Sequence, residues 1–324
     1  MSACQTGRRL DALVASEIDH LSRSFAAKLI RQGCIRVDGT TRKPGYLTKA
    51  GQWVRGEIHL PEVPSFQPEA IPLDILYEDE ALLVVNKAPG MVVHPAPGHS
   101  SGTLTNALMH HCPDLAGISG SLRPGIVHRL DKDTSGALAV AKNSRAMHHL
   151  ADQFKSRRVS KHYLALVYGL PASKAGRIDR PIGRHPMDRK RMSVNTRTPR
   201  PALTRWRVCE RFAGVCMLDL DIRTGRTHQI RVHCQSMGHP VIGDPVYSSR
   251  GARNRLAAVC GQTASATQGA DRQMLHAARL GFTHPESGEA VIVQAPMFPD
   301  MTDLIDRFRR IAAGGIRASQ RPSI

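Results

Sequence analysis

At the start of the chain, apolar positions recur with the spacing of two short helices and then of a hairpin. The helical spacing extends from Arg8 to about His20 and again from Phe25 to Ile30. Next, Ile35–Val37 alternates like a strand, and Asp38–Gly39 is a hairpin turn signal ahead of a second short strand around 52–60. The pattern predicts a small α/β domain.

The pattern changes after a proline-rich stretch. Residues 63–71 predict a linker, which places the first domain at 7–62 and a second domain at 72–312. In the second domain, short strand-like runs such as ALLVVN alternate with helical patterns, but without a regular βαβ rhythm. The expected fold class is therefore α+β, with a mixed or antiparallel sheet.

Two segments near the end of the chain have a different composition. Ser248 to Arg272 is rich in small and polar residues and is expected to be a mobile surface insertion. The tail at 313–324 has few apolar residues and is expected to be disordered.

The charge of the chain indicates a polyanionic partner. Its 324 residues carry a formal net charge of +18, and the pI is near 10.3. Such a surplus raises the local concentration of polyanions and favours contact with a phosphate backbone. A merely basic soluble protein is the alternative that charge alone leaves open.

Cysteine usage and hydropathy bear on cofactor and compartment. The seven cysteines are scattered, odd in number and form no CxxC pair, which argues against a zinc ribbon or a disulfide framework. No apolar run approaches the ~20 residues of a membrane helix, and the start MSACQTGRRL lacks the apolar segment of a signal peptide. Glycine-rich phosphate loops are also absent. We therefore expect a cytoplasmic protein with no metal, no cofactor and no membrane association.

The densest cluster of reactive residues is GIVHRLDKDTSG at 125–136. Within it, Asp131 lies between Arg129 and Lys132, whose charges favour its ionised form. An ionised carboxylate in a basic pocket can attack carbon, as in several glycosyl-transfer enzymes. A single loop aspartate is more often a turn former, so spacing alone makes Asp131 only a candidate nucleophile.

The same region allows three other interpretations. DKDTSG partly matches a calcium loop, but Lys142 stands where the bidentate glutamate belongs. DxDT also resembles the nucleophile motif of haloacid-dehalogenase-type phosphatases, although His128 and Arg129 interrupt the apolar strand that should precede it. Upstream, GHSSG matches GxSxG, yet Pro95 and Pro97 disrupt the strand that should lead into a nucleophile elbow. The phosphatase is kept as the alternative enzyme class.

A second cluster is RTGRTHQIRVH, in which Thr227 can cap a helix. Arg226 and Arg231 would lie near the free N–H groups at the helix start, a favourable place for phosphate or carboxylate. His228 and His233 are five residues apart and so fall off one helix face. This spacing favours satisfied structural histidines over zinc ligands.

Two further runs are candidates for substrate contact. KHYLALVYG alternates like a strand, with Tyr163 and Ala165 on one face and Leu164 and Leu166 on the other. A strand tyrosine is usually a packing residue. The segment from Arg184 to Arg207 is strongly basic, which indicates a solvated surface in most proteins but a backbone-contact loop in an RNA binder.

The first domain resembles a known RNA-binding module. The run RRLDALVASEI…LSRSFAAKLIRQGCIRVDGTTRKPG is similar to an S4 RNA-binding domain, and its second helix has one apolar and one basic face. The resemblance implies that Arg23, Lys28, Arg31 and Lys43 contact RNA.

The second domain resembles the RluA family of pseudouridine synthases over about 71–304. The motifs that carry the similarity are IVHRLDKDTSG, KHYLALVYG, TGRTHQIRVHCQSMGHPVIGDPVY and LHAARLGFTHPESGE. NKAPG departs from the family's more usual NKPxG, which affects the local loop geometry rather than catalysis. The family converts uridine to pseudouridine in RNA without a cofactor, by breaking a C1′–N1 bond and making a C1′–C5 bond.

The resemblance also implies roles for individual residues. Asp131 matches the nucleophile, and Arg231 matches the arginine that pairs with it. Tyr163 matches the tyrosine that stacks on the target base and moves a proton. Arg129 matches the residue that fills the stack after the uridine is extruded. Further expected RNA contacts are His128, Arg226 and Arg184.

The substrate expected from the resemblance is ribosomal. GRHP and MVVHPAPGHSSGTLTNAL most resemble the branch that acts on large-subunit ribosomal RNA. We expect a monomeric enzyme acting on a ribosomal stem-loop, free or within a pre-ribosomal particle. An assembly or RNA-chaperone protein without chemistry is the alternative from another class. That alternative predicts loss of Asp131, Tyr163 or Arg231, and all three are present.

Overall fold

The computed structural model describes residues 6–18, 21, 23–57, 67–95, 99, 101–117, 124–188 and 190–319. It divides the chain into two compact units, 1–65 and 66–324, and the division falls within the stretch predicted as a linker. Ser100 of the GxSxG match and the end of the tail at 320–324 lie outside the described residues. Within the described ranges, no helix combines the length and apolar character needed to cross a membrane.

The first unit is a pair of helices packed on a two-stranded hairpin. Its elements are α1 (Leu10–Glu17), α2 (Arg23–Arg31), β1 (Ile35–Val37) and β2 (Val54–Gly56). Asp38 and Gly39 have φ values of 50° and 73°, the backbone that a tight turn after β1 requires. Leu10, Ile30 and Val37 are fully buried between the helices and the hairpin. The small α/β module predicted from the sequence is confirmed.

The second unit is built on one large sheet. The strands of this unit are β3 (Ile75–Glu78), β4 (Leu82–Lys87), β5 (Ser135–Ala141), β6 (Ser160–Tyr168), β7 (Ala175–Asp179), β8 (Gly183–Arg184), β9 (Met192–Ser193), β10 (Leu203–Arg211), β11 (Val215–Ile222), β12 (Leu275–Thr283) and β13 (Ala290–Gln294). Its helices are α3 (Leu104–His111), α4 (Ser144–Lys155), α5 (Gln229–Ser236), α6 (Arg250–Val259), α7 (Gly261–Ala266) and α8 (Pro299–Ser319).

Among the described residues, nine strands form one sheet in the order β3-β4-β5-β12-β6-β11-β10-β7, with β13 also paired to β12. β5 and β12 are parallel, whereas their other neighbours are antiparallel. Successive residues of β4, β5 and β6 point alternately to two faces. One face packs on α3 and α5, and the other on α4, α6 and α8. The predicted α+β class with a mixed sheet is confirmed.

Two local expectations differ from the structure. The segment Ser248 to Arg272 is not a mobile insertion: it forms α6 and α7, with Ser249 capping α6. Ala252 and Leu256, one helical turn apart, are 2% and 3% exposed in a core shared with α8. Helix α8 also extends to Ser319, past the point at which the sequence predicted a disordered tail.

Candidate active site

Asp131 lies in the loop that leads into the central strand β5, and its side chain is 21% exposed. Thr134 N–H donates to the Asp131 carbonyl at 3.1 Å, so the loop turns back immediately after the carboxylate. Because Asp131 precedes a strand rather than following one, the geometry does not fit the phosphatase alternative, in which an apolar strand leads directly into the nucleophile.

Two buried basic side chains, Lys87 and Arg272, hold this loop by its backbone. Lys87 Nζ, at the end of β4, donates to the Lys132 carbonyl at 2.9 Å and to the carbonyls of Ala88 and Met91 at 2.7 and 3.0 Å. Three acceptors satisfy the three donors of an ammonium, although burial lowers the pKa of Lys87 to about 7. Arg272 Nη1 adds a bond of 3.0 Å to the carbonyl of Asp133. The loop is therefore pre-organised before any substrate binds.

Arg231 of α5 bridges two carboxylates. Its Nη1 donates to Asp131 Oδ2 at 3.0 Å, while Nε and Nη2 donate to the two oxygens of Asp244 at 2.6 and 2.9 Å. The Asp244 side chain is fully buried and also accepts from the N–H groups of Val246 and Tyr247. Burial alone would lower the pKa of Arg231, but the bonds and charges of Asp244 and Asp131 raise it. The guanidinium is thus a permanent cation aimed at Asp131.

His228 is a second group that faces Asp131. It precedes α5 with a φ of 56°, an uncommon conformation for a residue with a Cβ, and so Thr227 is not the helix cap that the sequence predicted. Its Nε2 lies 3.9 Å from Asp131 Oδ2, and its Nδ1 lies 2.8 Å from the Tyr247 hydroxyl. Desolvation lowers the pKa of His228, and the charge of Asp131 only partly offsets this effect. The imidazole is therefore neutral near pH 7.

Tyr247 connects the two groups that face Asp131. Its hydroxyl accepts from Met192 N–H at 2.8 Å, and its ring centre lies 5.1 Å from the Arg231 guanidinium carbon. Donation of the hydroxyl proton to His228 Nδ1 would leave Nε2–H directed at Asp131. The sequence pattern predicted a structural role for His228 and none for Asp244 or Tyr247, although all three lie in the run TGRTHQIRVHCQSMGHPVIGDPVY that carries the family resemblance.

Tyr163 of β6 completes the site. It is 8% exposed and lines a cavity of about 100 Å³ together with Asp131, His228 and Arg231. Burial, and to a smaller extent the charge of Asp131, raises the pKa of Tyr163, which keeps the phenol protonated. Asp131, His228 and Arg231 also line an adjoining cleft of about 690 Å³, so the carboxylate borders a larger space beside the cavity.

The remaining expected RNA contacts divide into three groups. Arg129 is exposed and lines both the cavity and the cleft, and Arg226 lines the cavity with Nε donating to the Pro201 carbonyl at 3.2 Å. Arg184 lies in β8 and lines neither. The exposed cations of the first unit are Arg23, Lys28, Arg31 and Lys43.

His128 lines the cleft and also packs against neighbouring side chains. Its ring stacks on Phe154 with centroids 4.3 Å apart, and its Nε2 accepts from Ala139 N–H at 2.9 Å. Burial and the charge of Lys161 lower the pKa of His128 to about 3. The neutral ring adds no positive charge to the cleft, and an RNA contact by His128 stays a prediction.

One cluster in the described part of the chain has metal-ligating residue types. Ligand atoms of Glu78, His111 and Cys112 lie within 4.8 Å of one another. However, Lys142 Nζ donates to Glu78 Oε1 at 3.0 Å, and His111 lies 3.0 Å from the other oxygen. Since a cation there would meet the Lys142 ammonium, the cluster is better described as an ion-pair network.

The class of protein follows from this geometry and from comparison with known families. Residues 81–236 match the model of the RNA pseudouridylate synthase family, and residues 8–54 match that of the S4 domain. Asp131, Tyr163 and Arg231, which are expected to carry the chemistry, line one cavity within the matched region. The chain belongs to the RNA pseudouridylate synthase family, whose members are isomerases, and carries an S4 domain ahead of the catalytic domain.

Several individual proteins are similar to this chain over most of its length. The chain is 44% identical to the RNA pseudouridine synthase YlyB of Bacillus subtilis, over 94% of this chain and 96% of that protein. It is 43% identical to ribosomal large subunit pseudouridine synthase D of Nitrosomonas europaea, over 94% and 86% of the two chains. Among solved structures, human RNA pseudouridylate synthase domain containing 1 superimposes with a TM-score of 0.57 at 31% identity, covering 79% of this chain and 98% of that one.

Proposed function

We propose that this enzyme isomerises specific uridines of large-subunit ribosomal RNA, with Asp131 as the nucleophile. The observation that carries the proposal is the 3.0 Å contact between Asp131 Oδ2 and Arg231 Nη1 beside the cavity that Tyr163 lines. The ribosomal substrate is supported by the name of the relative from Nitrosomonas europaea and by the net charge of +18. The setting that we propose is a cytoplasmic monomer acting on free or assembling ribosomal RNA.

In this proposal the two carboxylate oxygens of Asp131 have different tasks. Oδ2 accepts the hydrogen bond from Arg231 Nη1 and faces His228 Nε2, and neither contact involves Oδ1. Oδ1 either attacks C1′ or removes a proton from the sugar to give a glycal. On both paths the electrons of the C1′–N1 bond leave with the uracil, which turns and bonds to C1′ through C5. On the first path this new bond displaces the Asp131 carboxylate from C1′, and on the second the proton that Asp131 removed returns to C2′ of the sugar. The C5 proton is then lost and N1 is protonated, so the reaction is redox-neutral.

Tyr163 and Arg129 would handle the base. Because Tyr163 stays protonated, its ring can stack on the uracil while its hydroxyl takes part in proton transfer. A uridine in a stacked helix must be extruded before C1′ can reach Asp131, at a cost of a few kcal/mol. The position of the exposed Arg129 side chain, at the wall shared by cavity and cleft, supports the proposal that it fills the vacated stack.

Tritium release from C5-labelled uridine in transcribed large-subunit RNA tests the proposal. We expect release by the wild type, none by Asp131→Asn, and wild-type release by Asp152→Asn, a control at an exposed carboxylate paired with Arg158. Release by Asp131→Asn would overturn the assignment of the nucleophile. Release from other RNAs but not from ribosomal RNA would overturn the substrate. Primer-extension mapping of pseudouridine would identify the modified positions.

A further inference from the structure

The outer face of the hairpin β1–β2 in the first unit has an unusual composition for a solvated surface. The inner face is apolar, with Ile35 and Val37 2% and 0% exposed. Arg36 and Arg55 point outward and are direct cross-strand partners. Like charges directly opposite each other destabilise a sheet. An anion bound to this face would therefore relieve the repulsion between Arg36 and Arg55.

Trp53 lies on the same outer face as Arg55, two residues away along the chain. Its side chain is 67% exposed, whereas Trp206, the other tryptophan of the chain, is 9% exposed. The Arg55 guanidinium carbon lies 5.6 Å from the Trp53 ring centre. A cation–π contact at an exposed site contributes only about 0.5–1 kcal/mol and leaves most of the indole in water.

Two hydrogen bonds to Asp38 fix the backbone at Trp53, so the exposed indole keeps a defined position on the hairpin. Trp53 N–H donates to Asp38 Oδ1 at 2.8 Å, and Asp38 N–H donates to the Trp53 carbonyl at 2.9 Å. Arg36 Nε donates to the Gly33 carbonyl at 3.3 Å, which positions its guanidinium beside the hairpin. Trp53, Arg36 and Arg55 border a shallow pocket of about 450 Å³. That volume is in the range of small-ligand sites.

We infer that Trp53, Arg36 and Arg55 form a binding site for an unpaired RNA nucleotide, in which the base stacks on Trp53 and its phosphates contact the two arginines. A planar aromatic face next to paired guanidiniums matches the π-face and the charge of one nucleotide. The inference deepens the proposed function by naming a second RNA contact on the S4 unit. It also differs from the basic face of α2, where the sequence placed the contacts Arg23, Lys28 and Arg31.

Tryptophan fluorescence tests the site directly, because Trp53 is exposed and Trp206 is buried. The probe is a single-stranded oligoribonucleotide of about six nucleotides, titrated into the full-length protein. We expect quenching of the exposed tryptophan emission in the wild type and equally in Asp131→Asn. In Trp53→Phe, whose remaining emission comes from Trp206, the titration should leave the emission unchanged.

Affinity measured by an independent method on the same probe gives the second readout. Trp53→Ala should bind roughly 5- to 150-fold more weakly, which is the loss expected for one stacked base. Arg55→Gln should weaken binding and reduce the slope of log affinity against log salt by about one. Leu47→Ala is the matched control, since Leu47 is another exposed apolar side chain of the same unit, at 56% exposure.

Unquenched emission together with unchanged affinity in Trp53→Ala would overturn the site. Tritium release by the same proteins separates this inference from the proposed function. Quenching without any uridine isomerisation by the wild type would refute the proposed activity and leave the nucleotide site standing. Isomerisation with no change at Trp53 would refute only the site.

Discussion

Replacement of Arg231 by lysine keeps the positive charge of the site but should remove most of its activity. The guanidinium makes three charge-assisted bonds at once, one to Asp131 and two to Asp244, at 3.0, 2.6 and 2.9 Å. A single ammonium cannot reproduce this planar fork. Its strongest alternative partner is the fully buried Asp244, so the bond to Asp131 is the one we expect to be lost.

The size of the effect follows from that one bond. A hydrogen bond to a charged group contributes about 1.5–3 kcal/mol. If the bond to Asp131 holds the carboxylate in its reactive position, its loss slows the chemical step by roughly 10- to 150-fold. The incompletely satisfied Asp244 should also lower the free energy of unfolding by about 1–3 kcal/mol.

Single-turnover tritium release at saturating enzyme measures the chemical step, and thermal unfolding measures the stability. Arg309→Lys is the matched control, because Arg309 also forms a two-bond pair with a carboxylate, Glu210, but is 53% exposed. Its activity should be unchanged and its stability lower by at most about 1 kcal/mol. A stable Arg231→Lys enzyme with the wild-type single-turnover rate would refute the reasoning.

Three further predictions concern other parts of the catalytic unit. Tyr247→Phe removes the hydroxyl that bonds His228 but keeps the ring over the guanidinium, so kcat should fall severalfold with KM unchanged; an increase in KM alone would indicate a substrate contact instead. Gly136→Ala should destabilise the fold by at least ~2 kcal/mol in urea unfolding, since φ is 114° and a Cβ would collide with the backbone of β12, while Gly251→Ala in helix α6 should be neutral or slightly stabilising. The pH–rate profile should be flat between about pH 8 and pH 9, above the pKa of about 7 that burial gives Lys87, because the pKa of His228 is lowered and that of Tyr163 is raised; a step within that range would contradict this.

The sequence pattern was most informative where the alternation of residues within one segment shows which side chains share a buried face. The two-faced alternation of KHYLALVYG predicted that Tyr163 and Ala165 share one side of a strand, and both lie in the core on the α3 and α5 face of the sheet. The pattern failed at Ser248–Arg272, where short side chains indicated a surface insertion. Small residues also allow close helix packing, and only contact with α8 decides between these outcomes.

By itself, the sequence identified the residues proposed to carry the chemistry, the basic character that suits RNA, and the expected division into two domains, because each is written in local spacing or in composition. Tertiary structure decided how those residues meet. Asp131 and Arg231 are a hundred positions apart and reach 3.0 Å only because β5 and α5 belong to one folded sheet unit. The same folding buries Asp244 beneath Arg231 and turns His228 towards Asp131 in a left-handed backbone conformation. Local periodicity carries no information about such pairs, since their geometry depends on the order of strands in the sheet and on burial, which are properties of the whole domain.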